Sequence, residues 1–104
     1  ENLIILKVLQ FVFIKQMEDL ISMHRSSIHN RTIIDKSDLC GCFYCLKYFT
    51  GSDIREWCDG GDTAICIYCG VDSVIGSASG YSLSSESLTN MNKRWFKSTS
   101  ILDS

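Results

Sequence analysis

The sequence predicts a small α+β protein with a long N-terminal helix, a β-hairpin between two cysteine-rich turns, and a C-terminal helix. Three observations carry this prediction. Residues 1–28 contain no Gly or Pro and repeat apolar residues at helical spacing. The run Asp59-Gly60-Gly61-Asp62 between apolar segments is a hairpin signal. The length of 104 residues fits one domain, and 45% hydrophobic against 21% charged residues excludes intrinsic disorder.

Four of the six cysteines form two C-x-x-C pairs with 20 residues between them. A tight turn between cysteines three apart aims both sulfurs at one point, and two such turns complete a tetrahedral zinc site. Gly70 follows the second pair and fits a turn that needs a positive φ or a close approach of the backbone. Four cysteine ligands leave no open position for water or substrate, so the Zn²⁺ is expected to be structural. The predicted metal ligands are Cys42, Cys45, Cys66 and Cys69.

The other arrangement of six cysteines is a disulfide framework. Paired C-x-x-C spacing favours metal, and no segment of secretory signal type precedes the pairs. Cys40 lies close enough to Cys42 to compete as a ligand, whereas Cys58 is expected to be a small buried hydrophobe in a strand. Two spare thiols persist best in a reducing compartment, so the predicted location is cytoplasmic.

The predicted N-terminal helix is too long for the domain. A continuous helix over residues 1–28 would be about 40 Å long, whereas the radius of gyration of a compact domain of this size is about 13 Å. We therefore divide the chain into an apolar helical extension, 1–16, and a single zinc-binding domain, 17–104. The apolar stretch 3–14 is shorter than the ~20 residues that cross a bilayer, so no membrane association is predicted. It is core, a homodimer contact, a contact with another partner or a non-native extension.

The remaining elements follow from local signals. Residues 29–38 lose the apolar pattern and are predicted to be a connector, and segments 54–58 and 63–66 are the hairpin strands. Residues 71–75 are a short strand or one helical turn. A helical turn would give a treble-clef-like core, and a strand a zinc-ribbon-like one.

Residues 76–80 are predicted to be a loop, and a last helix is then capped by Ser84 or Ser85. Leu88, Met91 and Trp95 form its apolar stripe, and residues 98–104 are expected to fray.

Five segments around the cysteines form a specific pattern: Cys40-Gly41-Cys42-Phe43-Tyr44-Cys45, Ile54-Arg55-Glu56-Trp57, Asp59-Gly60-Gly61, Thr63-Ala64-Ile65-Cys66 and Tyr68-Cys69-Gly70-Val71-Asp72-Ser73-Val74-Ile75-Gly76. With these segments the sequence resembles a largely uncharacterised family of small bacterial cytoplasmic zinc-knuckle proteins. The resemblance covers residues 17–96 and leaves 1–16 outside. This chain has Ile67 where family members often have proline, and Cys58 where they usually lack cysteine. The resemblance implies a cytosolic zinc-knuckle protein and names no reaction.

Charge favours a protein partner over nucleic acid. The chain has a net charge of −2, and residues 40–81 have a net charge of −3, which four thiolates and one Zn²⁺ take to −5. An acidic face complements the basic active sites of toxins that act on nucleic acid, so an immunity protein is one candidate. The alternative is a zinc-ribbon nucleic-acid-binding or regulatory protein. Its candidate contact is the basic and aromatic group Lys93, Arg94, Trp95, Phe96 and Lys97.

An enzymatic role is not predicted. His24 and His29 are the only histidines, and their spacing of five does not place them on one helix face. His24 is instead expected to be a structural residue on the apolar side of the helix. The sequence contains no H-E-x-x-H, no glycine-rich phosphate loop after a strand and no G-x-S-x-G motif.

Overall fold

A computed structural model describes residues 2–97 as an α+β fold, which confirms the predicted class. The helices are α1 (Asn2–Arg25), α2 (Arg31–Asp35) and α3 (Ser85–Asn92), and the strands are β1 (Cys40–Cys42), β2 (Tyr48–Phe49), β3 (Trp57–Cys58), β4 (Thr63–Ala64) and β5 (Val74–Gly76). The strands form two antiparallel sheets, one in the order β2-β1-β5 and the other pairing β3 with β4.

The long N-terminal helix is confirmed, but it ends at Arg25 rather than at residue 28. The hydroxyls of Ser26 and Ser27 donate to the carbonyls of Met23 and His24, both at 2.6 Å, and so satisfy acceptors that a further helical turn would use. The first half of α1 is exposed rather than packed in the core, and the longest dimension of the molecule is 54 Å. Within residues 2–97 no helix is long and apolar enough to span a membrane.

The predicted connector at residues 29–38 is wrong, because α2 lies within it. Five residues are too few to show helical periodicity in a sequence. The helix buries Ile34, which is 1% exposed and packs beside the strands that lead to the cysteine turns.

The predicted hairpin is present, with Trp57 opposite Ala64 and Cys58 opposite Thr63. Asp59, Gly60 and Gly61 adopt φ values of 54°, 71° and 90°, so this turn needs residues that tolerate the left-handed region.

The segment after the second cysteine pair is a strand, not a helical turn. Its strand β5 pairs antiparallel with β1, so that Gly41 lies opposite Ile75. Successive residues of β5 point to opposite faces of the sheet. Val74 therefore packs in the cluster around the cysteine turns, and Ile75 packs in a second cluster with α1 and α3.

The C-terminal helix begins as predicted, with the Ser84 side chain accepting a hydrogen bond from the Ser87 N–H at 3.1 Å. Leu88 and Met91 are buried, while Trp95 lies in a π-helical turn that follows α3 at Lys93–Lys97. The predicted loop at 76–80 contains a short 3₁₀ turn, Ser77–Ser79. The predicted fraying at 98–104 lies outside the described residues.

Candidate metal centre

The first cysteine pair lies in the tight turn that joins β1 to β2. The N–H of Leu46 donates to the carbonyl of Cys42 at 2.8 Å, and the N–H of Cys42 donates to the carbonyl of Lys47 at 3.0 Å. The N–H of Tyr44 donates to the Cys42 sulfur at 3.4 Å. Leu46 closes the turn in the left-handed region, at φ 66°. These bonds fix the directions in which the sulfurs of Cys42 and Cys45 point.

The second cysteine pair repeats this backbone 24 residues later. The N–H of Gly70 donates to the carbonyl of Cys66, and the N–H of Cys66 donates to the carbonyl of Val71, both at 3.0 Å. The N–H of Tyr68 again donates to the first sulfur of the pair at 3.4 Å. Gly70, with φ 76°, occupies the position of Leu46. The two turns are therefore copies of one local structure facing each other.

The four predicted ligands converge, and all four Sγ atoms lie within 4.8 Å of one another. The Cys42 and Cys69 sulfurs are 3.6 Å apart, and those of Cys45 and Cys66 are 3.7 Å apart. A tetrahedron of Zn–S bonds about 2.3 Å long has S···S edges of about 3.8 Å. A disulfide would bring two sulfurs to about 2.05 Å, and all four cysteines are free thiols. The cluster could hold a metal ion, and a tetrahedral set of four sulfurs suits zinc or iron.

The surroundings of the clustered cysteines shift the pKa values of their thiols. Burial raises the pKa of the Cys45 thiol, and charge on Cys42 raises it further. Burial also raises the pKa of Cys69. Burial opposes ionisation of Cys66 as well, but N–H groups of Cys69 and Tyr68 donate to its sulfur and lower its pKa on balance. Four neighbouring sulfurs repel one another as thiolates, and a divalent cation would remove that repulsion.

Three side chains that the sequence analysis missed support the turns. The Ser73 hydroxyl lies 3.1 Å from the Cys42 sulfur. The Asn92 amide donates to the carbonyls of Phe43 and Tyr44 at 3.0 and 2.9 Å, and so ties the first turn to α3. Asn30 is 2% exposed and bridges two strands: it donates to the carbonyl of Val74 at 2.9 Å and accepts from the N–H of Ala64 at 3.1 Å. No sequence motif marks these residues, because each contacts groups far along the chain.

The other cysteines and both histidines lie outside the cluster. Cys40 is fully buried in β1, and burial raises its pKa to about 11, with Asp53 adding to the rise. Cys58 lies in β3 as predicted but is half-buried rather than buried. His24 stacks on Trp95, with ring centroids 4.1 Å apart.

The second histidine, His29, makes an exposed contact of 3.1 Å between its Nδ1 and Asp62 Oδ2. Within residues 2–97 the four cysteines are therefore the one group of three or more candidate metal ligands.

Comparisons with known proteins return nothing. No family model, no curated protein and no solved structure matches the chain. Function must therefore be argued from the cysteine cluster and its surroundings.

Proposed function

We propose that the chain is a zinc-stabilised binding protein that engages a specific protein partner and has no catalytic activity of its own. The observation that carries the proposal is the cluster of four sulfurs at tetrahedral spacing. A metal with four protein ligands has no position left for a substrate, so its role is to hold the two turns together. We assign the metal as zinc because paired C-x-x-C turns are the usual structural zinc ligands.

The order of elements favours a zinc-ribbon-like core over a treble-clef-like one. Each cysteine pair lies in a tight turn, and the second is followed by β5, a strand that returns to pair with β1. A treble clef would place a helix directly after the second pair. The metal would then join the turn between β1 and β2 to the turn that leads from β4 to β5.

The tips of the two cysteine turns form an exposed apolar surface, which we call the knuckle surface. It consists of four side chains that are between 38% and 55% exposed: Tyr44, Leu46, Ile67 and Tyr68. The Nζ of Lys47 lies 4.9 Å from the centroid of the Tyr68 ring, so a side chain of the first turn contacts the second turn beside this surface. Tyrosine is enriched in protein interfaces, where it supplies a large apolar area with few rotatable bonds.

The charge around the knuckle surface disfavours nucleic acid. The exposed acidic residues Asp53 and Glu56 line a pocket with Ile67 of the second turn, and the exposed Asp72 follows that turn in the sequence. Residues 40–81 together have a net charge of −3. A phosphate backbone would be repelled, whereas a basic protein surface would be attracted. Within this proposal we favour an immunity protein that covers the basic active site of a toxin.

The nucleic-acid alternative has less support. Its two aromatic residues are already engaged in the fold: Trp95 stacks on His24, and Phe96 lies 4.7 Å edge-to-face from Tyr44. Bases need free ring faces to stack on.

The proposal also includes membership of the zinc-knuckle family, which the sequence resemblance supports. It includes a cytoplasmic location as well, which is supported by Cys40 and Cys58, the two cysteines outside the cluster.

Site-specific photo-crosslinking in bacterial cells tests the proposal. A photoreactive phenylalanine analogue replaces Tyr68, and the matched control carries it at the exposed Glu86 of α3. We expect one protein to be cross-linked at position 68 and not at position 86. A toxin encoded by a neighbouring gene would support the immunity role. Recovery of RNA or DNA in place of protein would overturn the proposal.

A further inference from the structure

The N-terminal half of α1 presents an apolar surface that no described part of the chain covers. Ten large apolar residues between Leu3 and Ile14 are each 46% to 70% exposed. At 150 to 200 Å² for each large side chain, they expose on the order of 1,000 Å². The largest apolar patch of a typical monomer is about 300–600 Å², and a stable dimer buries about 800 Å² per partner. Because the ten residues lie on all sides of the helix, about half of this area belongs to any one face. A dimer interface therefore needs a second contact surface beside that face.

A groove of about 840 Å³ lies beside the C-terminal half of the same helix. Its floor on α1 combines the apolar Phe13, Met17, Leu20 and Met23 with the polar Gln16 and Asp19. The opposite wall is mostly polar and basic, and consists of Gly80, Tyr81, Ser82, Ser87, Asn90, Lys93 and Arg94. Met17 and Leu20 are half-buried there. One half of α1 thus offers exposed apolar side chains, and the other half borders a groove with apolar side chains on its floor.

The two halves share one face of the helix. One stripe of the apolar half consists of five apolar residues at helical spacing: Ile5, Leu6, Leu9, Val12 and Phe13. The same stripe continues on the groove floor at positions 16, 20 and 23. The polar residues of the apolar half, Lys7 and Gln10, fall outside this stripe.

We propose that a second copy of this chain covers the groove, in an antiparallel dimer with its two-fold axis near Phe13. Antiparallel pairing about residue 13 places residues 3–13 of each copy along residues 13–23 of the other. These are the residues of α1 that border the groove. Both segments are about 16 Å long at 1.5 Å per residue. A parallel pair would set apolar half against apolar half and leave both grooves empty. The dimer uses a surface separate from the knuckle surface and does not depend on the proposed function.

Light scattering coupled to size-exclusion chromatography tests the dimer. The zinc-loaded 104-residue chain should have twice its monomer mass of 11.7 kDa. Phe13→Glu places two charges at the two-fold axis and should raise the dimer Kd by about 100-fold or more, which gives a monomer. Phe11→Glu is the matched control, because Phe11 is equally exposed but lies about 200° around the helix from Phe13. This variant should remain a dimer.

A monomeric wild-type chain, a larger assembly, or equal effects of Phe11→Glu and Phe13→Glu would overturn the proposal. Circular dichroism establishes that each variant is folded, and Leu9→Glu replaces Phe13→Glu if that variant is not. Isotope-filtered NMR on a dimer of labelled and unlabelled chains then determines orientation. Contacts between Leu6 and Leu20 of different copies are expected, whereas contacts between equal residue numbers along the helix would show a parallel pair.

Discussion

Replacing Asn30 by alanine should destabilise the protein more than any exposed polar substitution, because its side chain joins β4 to β5. These strands flank the second cysteine turn, with β4 entering it and β5 following it. In Asn30→Ala the N–H of Ala64 and the carbonyl of Val74 both lose their side-chain partner. Ala64 and Val74 are fully buried, so water does not replace the lost bonds.

The magnitude follows from the number of groups left unpaired. A buried donor or acceptor without a partner costs about 1–3 kcal/mol, so two of them should lower the free energy of unfolding by about 2–6 kcal/mol. Total stability of a domain is about 5–15 kcal/mol. The substitution should therefore remove a large part of it, although Asn30 touches no cysteine sulfur in the cluster.

Urea unfolding of the zinc-loaded protein measures this loss. Thr32→Ala is the matched control, since Thr32 is exposed on α2 and should change stability by about 0.5 kcal/mol or less. If Asn30→Ala also falls within about 0.5 kcal/mol of wild type, the bridging role of Asn30 is wrong.

Three further predictions concern the sheet, an acid-sensitive residue and the metal. Gly76→Ala should lower the free energy of unfolding by about 1–3 kcal/mol, as measured by thermal unfolding, because the new methyl group would overlap the Ser37 hydroxyl. Burial lowers the pKa of His24 from its ordinary value of 6.5, so the unfolded chain takes up the proton more readily and stability should fall as the pH drops below 6.5. In His24→Phe the difference in urea midpoint between pH 7.5 and pH 5.5 should shrink, and an unchanged difference would refute this role. Cys66→Ser should lose the metal and unfold, whereas Cys58→Ser should bind metal and fold, as judged by metal content and circular dichroism. A folded Cys66→Ser protein would contradict a structural metal.

The features predicted correctly from sequence are those encoded in a few neighbouring residues. The convergence of two cysteine turns follows from the C-x-x-C spacing, and the start of α3 follows from Ser84. The hairpin turn is visible because Gly60 and Gly61 tolerate positive φ. In each case the signal and the structure occupy the same short stretch of chain.

The features that sequence did not reveal depend on residues far apart in the chain. Helix α2 is stabilised by the burial of Ile34. The role of Asn30 depends on hydrogen-bond partners that lie 34 and 44 residues further along the chain. The local sequence of residues 71–75 fits either a strand or a helical turn, and the pairing of β5 with β1 decides for the strand. The exposure of the apolar half of α1 is likewise a property of what surrounds it, and its composition alone left core and interface as alternatives.

Native mass spectrometry of the chain purified under reducing conditions tests whether the four clustered cysteines hold a metal ion. We expect one zinc ion per chain, retained by Cys58→Ser and absent from Cys66→Ser, with X-ray absorption showing four sulfur neighbours at about 2.3 Å. A wild-type chain that carries no metal, or whose mass shows Cys42, Cys45, Cys66 or Cys69 joined in disulfides, would contradict it.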